Sequence, residues 1–216
     1  LHITKFMSKT VTSLELEDRR VGKDLYSYQK GAIDKIFKCF EEAPEDYHLL
    51  YQLPTGGGKT VIFSEIVRQY LKHHKKKVLV MTHRIELCRQ TSSMLEEFGV
   101  VNKVVSSKAN LDDQAQYSCF VAMVETLNNR LQEDKLDISD IGLVIIDEAH
   151  YNSFTKLFKY FEKSFILGVT ATPLSSNIKL PMKDNYDELI VGETIESLIK
   201  NKFLSKADIY SYNVGL

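Results

Sequence analysis

Residues 52–60 read QLPTGGGKT, three consecutive glycines ahead of Lys59 and Thr60 in a chain with ten glycines altogether. A side chain at any of the three would stand between the peptide N–H groups and whatever lies above them, so something has to approach that backbone closely. The run before the glycines, HLLYQL (48–53), has the composition of a buried strand, and residues 59–73 repeat their apolar positions at helical spacing. A strand–loop–helix unit sets Gly56, Gly57, Gly58 and Lys59 at a helix N-terminus. There their N–H groups can converge on an anion and the helix dipole favours negative charge. A phosphate is the first candidate.

The rest of the chain repeats this alternation. VLVMT (78–82), CFVAM (119–123), LVIID (143–147) and FILGVT (165–170) are short runs rich in β-branched and aromatic residues, and each reads as a strand buried on both faces. Helical patterns lie near 59–73, 84–98, 124–133 and 154–163, and one more precedes the glycines. In that one Ala32, Ile33, Ile36, Phe37 and Phe40 recur from Tyr28 until Pro44 stops the pattern. Strand and helix in alternation predict an α/β fold, a parallel sheet with helices on both faces. Ligands of such sheets sit beyond the carboxyl ends of the strands, so the chemistry is expected just after strands. Residues 1–24 show no periodicity and begin at Leu1, which reads as an N-terminal extension of a fragment of something larger.

Composition narrows the class. With 44% apolar and 26% charged residues, the 216-residue chain has the balance of one globular unit. No apolar run reaches the roughly 18 residues of a membrane span, and no secretory signal opens the chain. Cys39, Cys88 and Cys119 lie far apart, in neither a disulfide nor a zinc spacing. A cytoplasmic protein, bacterial or nuclear, is expected. The net charge of −1 confines any nucleic-acid surface to a local patch. The basic run KHHKKK (72–77) falls at the amino end of the next strand, opposite the expected site, and reads as a solvated turn.

TGGGKT fits a P-loop that binds ATP with magnesium: Thr55 to Gly58 form the loop, Lys59 reaches the β- and γ-phosphates, and Thr60 places its hydroxyl on the metal. The general pattern asks for glycine where Leu53 stands, which favours the PTGxGKT variant over small GTPases and kinases. A loop of this kind binds but does not hydrolyse. The strand end VIIDEAH supplies two acids: Asp147 for the magnesium shell and Glu148 to orient and polarise the attacking water. Read alone, His150 suits a hydrogen-bonded core histidine better than a functional one.

Taken together, LYSYQ, LPTGGGKT, VLVMTHRIELCRQ, FVAMVETL, DEAH and GVTATP resemble the first-lobe motifs of superfamily 2 helicases and translocases in their usual order. The likeness is nearest to restriction-enzyme motor subunits and excision-repair helicases. It covers most of residues 24–216 and implies a RecA-like P-loop lobe over 25–190. Residues 191–216, with GETIESLIKNKFLSKADIY, would then begin the connection to a second RecA-like lobe. DEAH and TATP, in place of DEAD and SAT, favour DNA over RNA as the polymer.

The resemblance gives Gln29 the adenine edge, although Tyr26 stands where many relatives carry arginine; a glutamine capping the helix start is the alternative. Thr82, His83 and Arg84 after one strand, and Thr126 at a helix start after the next, become nucleic-acid contacts, with exposed helix starts as the alternative. Arg130 reads as a solvated helix residue. His150, Thr170 and Thr172 become coupling residues between the γ-phosphate and the DEAH loop. For Thr170 to reach a site built by Lys59 and Asp147, strand 165–170 must lie between strands 48–53 and 143–147. The phenylalanine and leucine stripe at 154, 157, 158 and 161 is expected to be core. The leading expectation is a nucleic-acid-dependent motor ATPase, and its rival is a nucleotide-responsive binding module without motor activity.

Overall fold

A computed structural model describes residues 24–44, 46–106, 115–133, 136–173 and 182–205. The expected extension before residue 24 and the chain after 205 lie outside the described residues. The elements are α1 (Ser27–Glu42), β1 (His48–Gln52), α2 (Lys59–His73), β2 (Lys77–Thr82), α3 (Ile85–Glu97), β3 (Lys103–Val105), β4 (Cys119–Met123), α4 (Val124–Gln132), β5 (Ile141–Asp147), β6 (Phe165–Thr170), β7 (Glu188–Val191) and α5 (Ile195–Lys200). Two 3-10 helices, Asn152–Tyr160 and Met182–Asp184, complete the set.

The strands form one seven-stranded sheet in the order β3-β4-β2-β5-β6-β1-β7. All its pairings are parallel. β6 lies between β1 and β5, as the coupling argument requires. Its register pairs Thr170 with Gln52 on one side and Val169 with Asp147 on the other. This arrangement sets the ends of the P-loop strand, the TATP strand and the DEAH strand side by side.

Every residue of β5 and β6 is buried. One apolar layer, with Ile33, Ile36, Phe63 and Val67, covers one face of the sheet; the other, with Leu127, Phe154, Leu157 and Phe161, covers the opposite face. Cys88 and Cys119 are buried in the first of these layers, and burial pushes the Cys119 thiol up to about 12. The stripe at 154–161 is core, but it belongs to a 3-10 rather than an α-helix. Arg130 corrects the expectation of a solvated residue: it is buried, and its Nε donates to the Ser106 carbonyl at 3.3 Å. Residues 72–76 are exposed, while Lys77 opens β2 and pairs with Asp140 at 3.0 Å. Among the described residues no helix is long and apolar enough to cross a membrane.

Candidate active site

The glycine loop is built by two left-handed residues. The Gly57 N–H donates to the Pro54 carbonyl at 3.0 Å, closing a four-residue turn whose third residue, Gly56, has φ 82°. Gly58, the N-cap of α2, has φ 83°. An L-residue in that region costs roughly 1–2 kcal/mol, and a Cβ on Gly58 would also fall 2.5 Å from Gln29 Nε2. One expectation is corrected here, because the Gly57 N–H closes the turn and is not free for an anion. The amides left without an intrahelical acceptor are those of Gly58, Lys59, Thr60 and Val61, since Ile62 is the first to bond back, to Gly58. Thr55 is exposed on the turn, and Thr60 is half-buried in the first helical turn.

Lys59 is a buried ammonium whose hydrogen bond, to the Leu53 carbonyl, is a long 3.4 Å. Across from it stand the two acids. Asp147 is 8% exposed, and burial first, then the Glu148 charge, push its carboxyl up to about 6 against the pull of Lys59. Glu148 has φ 55°, a left-handed backbone for a non-glycine residue, and its N–H donates to Asp147 Oδ1 at 3.0 Å. Strain of this kind collects where the surroundings hold a side chain in one direction. The tie here is the Ala149 N–H to the Val169 carbonyl, 2.9 Å, which fastens the DEAH turn to β6.

The structure gathers the residues read as coupling. Thr170 is fully buried, and its hydroxyl donates to the Thr172 carbonyl at 2.7 Å. With that proton committed, the hydroxyl can only accept from His150 Nδ1, 3.1 Å away, which assigns the imidazole its Nδ1–H tautomer. The same nitrogen lies 3.4 Å from Glu148 Oε2. Glu148, His150, Thr170 and Thr172 therefore form one connected polar chain.

The residues read as nucleic-acid contacts divide. Thr82 is fully buried; its hydroxyl donates to the Arg84 carbonyl at 3.1 Å and meets Cys88 Sγ at 2.9 Å. It shapes the turn that presents Arg84 and has no exposed surface of its own. His83 packs at a tilt against Tyr151 with ring centroids 4.2 Å apart, and burial, ahead of the Arg84 charge, lowers its pKa. Arg84 is exposed at the N-cap of α3, and Thr126 is half-buried in the first turn of α4. The register pairing Thr82 with Met123 sets these two helix starts side by side.

Gln29 carries both readings at once. Its Oε1 accepts the Tyr26 N–H at 2.9 Å, capping α1, while its amide nitrogen faces Gly58. Sequence reasoning passed over Tyr28, whose hydroxyl donates to the Gly57 carbonyl at 2.7 Å. Its place immediately before Gln29 was the available signal.

A Mg-nucleotide meets the charge needs of this arrangement. A buried lysine with no ion pair among the described residues needs an anion, and two adjacent carboxylates, one of them buried, need a cation. Among the described residues no three histidines, cysteines or acids cluster as metal ligands. Magnesium is usually held by one or two carboxylates together with substrate phosphates, so a site for it needs no such cluster. The metal-free chain should show the strain directly. Between pH 4 and 6 the folded state binds more protons at Asp147 than the unfolded state, so this group's contribution to stability falls as pH rises through 6. The raised pKa corresponds to on the order of 3 kcal/mol. Asp147→Asn is therefore expected to raise the nucleotide-free melting temperature at pH 8 by about 5–10 °C and to flatten its difference from pH 5. An unchanged melting curve would remove the argument.

The family described as "Type III restriction enzyme, res subunit" matches residues 22–175. The chain belongs to that family and is a first RecA-like lobe of superfamily 2. It is 30% identical to IRC3 of Saccharomyces cerevisiae over 224 residues, 94% of this chain and 32% of that protein. It is also 30% identical to "ATP-dependent DNA helicase MPH1" of Scheffersomyces stipitis, over 87% of this chain and 17% of that protein. The chain thus spans a third or less of these relatives' length. Among solved structures, the UvsW helicase of bacteriophage T4 superposes with a TM-score of 0.62 at 18% identity, over 82% of this chain and 66% of that one. At that identity the likeness speaks for the fold.

Proposed function

We propose that this chain is the ATP-binding lobe of a nucleic-acid-dependent motor ATPase that couples ATP hydrolysis to movement along DNA. The observation that carries the reading is the buried Lys59 ammonium facing the Asp147–Glu148 pair across a glycine loop at a helix start. Lys59 and the first-turn amides of α2 would hold the phosphates, and Thr60 and Asp147 the magnesium. Glu148 would take the proton of the attacking water, while His150 and Thr170 would pass the state of that water to the TATP segment. Bound there, magnesium would supply neutralisation of phosphate charge. Gln29 would read the adenine edge, and Arg84 and Thr126 would meet the polymer's backbone.

DNA is preferred over RNA on the DEAH and TATP motifs and on MPH1, which is named as a DNA helicase. A second RecA-like lobe completes the motor in this reading. The test is steady-state ATP hydrolysis by the full-length protein with duplex DNA, single-stranded DNA and RNA in parallel. Magnesium-dependent turnover stimulated by DNA is expected. Nucleotide binding without turnover under any condition would establish the binding module instead, and stimulation by RNA alone would reverse the choice of polymer.

A further inference from the structure

The chain does not leave the sheet directly after β7. Gly192 N–H bonds to the Gln52 carbonyl at 2.8 Å, α5 follows, and the chain then turns back over the nucleotide cradle. The return is made by a C-terminal cap in which the Phe203 N–H donates to the Leu198 carbonyl at 2.8 Å and the Lys202 N–H to the Ile199 carbonyl at 3.0 Å. This is the Schellman pattern, and the residue it places in the left-handed region is usually glycine. Here it is Lys202, with φ 61°. A lysine persists in that conformation when the surroundings fix the turn, and what this turn delivers is Phe203 and Leu204.

Phe203 sits against both tyrosines at the start of α1, with ring centroids 4.7 Å from Tyr26 and 5.1 Å from Tyr28. Leu204 covers the loop itself: a Cβ on Gly56 would lie 2.9 Å from its Cδ1. Tyr28, held by Phe203, donates its hydroxyl to the Gly57 carbonyl at 2.7 Å. A trans peptide is planar, with its C=O and N–H pointing in opposite directions. Capturing the Gly57 carbonyl on the outside of the loop therefore turns the Gly58 N–H toward the inside, where a phosphate would lie.

We infer that Phe203 and Leu204 are positioning residues of the nucleotide site, acting through Tyr28 and Gly56 to fix the Gly57–Gly58 peptide plane for phosphate binding. The inference rests on the nucleotide reading above and adds to it that the chain following β7 is part of the cradle. Nucleotide affinity and the path of the chain beyond α5 are thereby linked: moving residues 203–204 off the tyrosines loosens the loop, and a bound phosphate holds them in place.

The test measures binding of a fluorescent Mg-ADP analogue to the 216-residue chain, with thermal melting as a check on folding and amide exchange across residues 56–60. Phe203→Ala should weaken binding roughly 3- to 30-fold, the size of effect expected for coupling through an intervening residue. Exchange at the loop amides should rise while that of β5 and β6 stays unchanged. Tyr28→Phe, which keeps the ring and removes the hydroxyl, should reproduce the loss, and Phe203→Tyr should bind within about twofold of wild type. Because both act on one peptide plane, the double variant Tyr28→Phe/Phe203→Ala should be no weaker than the worse single variant. Unchanged affinity in a folded Phe203→Ala protein, or fully additive losses, would overturn the inference alone. A wild-type chain that does not bind the analogue would overturn the nucleotide reading and this inference with it.

Discussion

Glu148→Gln is expected to leave Mg-ATP binding in place and to lower turnover of the complete protein by about 10²–10⁴-fold, the contribution of a general base. Glutamine keeps the length and planarity of the side chain, and the left-handed backbone at this position is no harder for glutamine than for glutamate. It also removes the neighbouring charge, which after burial is the largest influence raising the Asp147 carboxyl. Asp147 should then ionise more readily and hold magnesium at least as well, so affinity should stay level or rise. Lys59→Ala acts in the opposite direction. It deletes the buried cation of the cradle, and with each hydrogen bond to a charged group contributing about 1.5–3 kcal/mol, affinity should fall roughly 10- to 100-fold and turnover with it. Fluorescent-nucleotide titration beside single-turnover hydrolysis separates the two variants. Equal loss of affinity in both would contradict the roles assigned to the lysine and the glutamate.

What could be read in the sequence was what local pattern determines. Runs such as CFVAM and FILGVT are buried on both faces, so their continuous apolar character fixed their bounds to the residue. The position of β6 followed from chemistry: Thr170 and Thr172 had to reach the DEAH turn, and Thr170 lies within hydrogen-bond distance of His150. β7 escaped notice because it is a sheet-edge strand with Glu188, Leu189 and Val191 exposed, which leaves no alternation to detect. β3, at three residues, is too short for any period. In Asn152–Tyr160 the buried pair Phe154 and Leu157, at i and i+3, faces inward in either helix type, so the apolar stripe could locate core but not the helix type. The remaining misses are tertiary. Arg130 is buried because a carbonyl 24 residues away accepts from it, and Tyr28 matters because a loop carbonyl 29 residues away does. Thr82 was read as a phosphate contact from its place after a strand, but that place buries its hydroxyl beneath Arg84.

The 216-residue chain by itself is expected to bind Mg-ATP or Mg-ADP and to hydrolyse ATP slowly, and joining it to a second RecA-like lobe should raise DNA-stimulated turnover by roughly 10³–10⁵, the range an arginine finger supplies. Two of the four described arginines are committed elsewhere, and the other two are exposed. Arg68 is bound to Glu65 at 2.7 Å, Arg130 to the Ser106 carbonyl, and Arg84 and Arg89 lie exposed at the start of α3. Lys59 is left as the cation of the cradle, enough to hold the ground-state phosphates but without a partner to meet the charge that spreads over the equatorial oxygens in the transition state. The same reasoning bears on the polymer. With Arg84 and the helix start at Thr126 as its contacts, the lobe alone should bind DNA weakly. The logarithm of its affinity should fall with the logarithm of salt concentration by roughly 0.9 per phosphate neutralised, a shallow slope for so few contacts. Hydrolysis by the chain alone, with and without DNA, beside the two-lobe protein decides the matter. Robust DNA-stimulated turnover by the single lobe would mean that the charge is met within these residues, and the two-lobe mechanism would have to be given up.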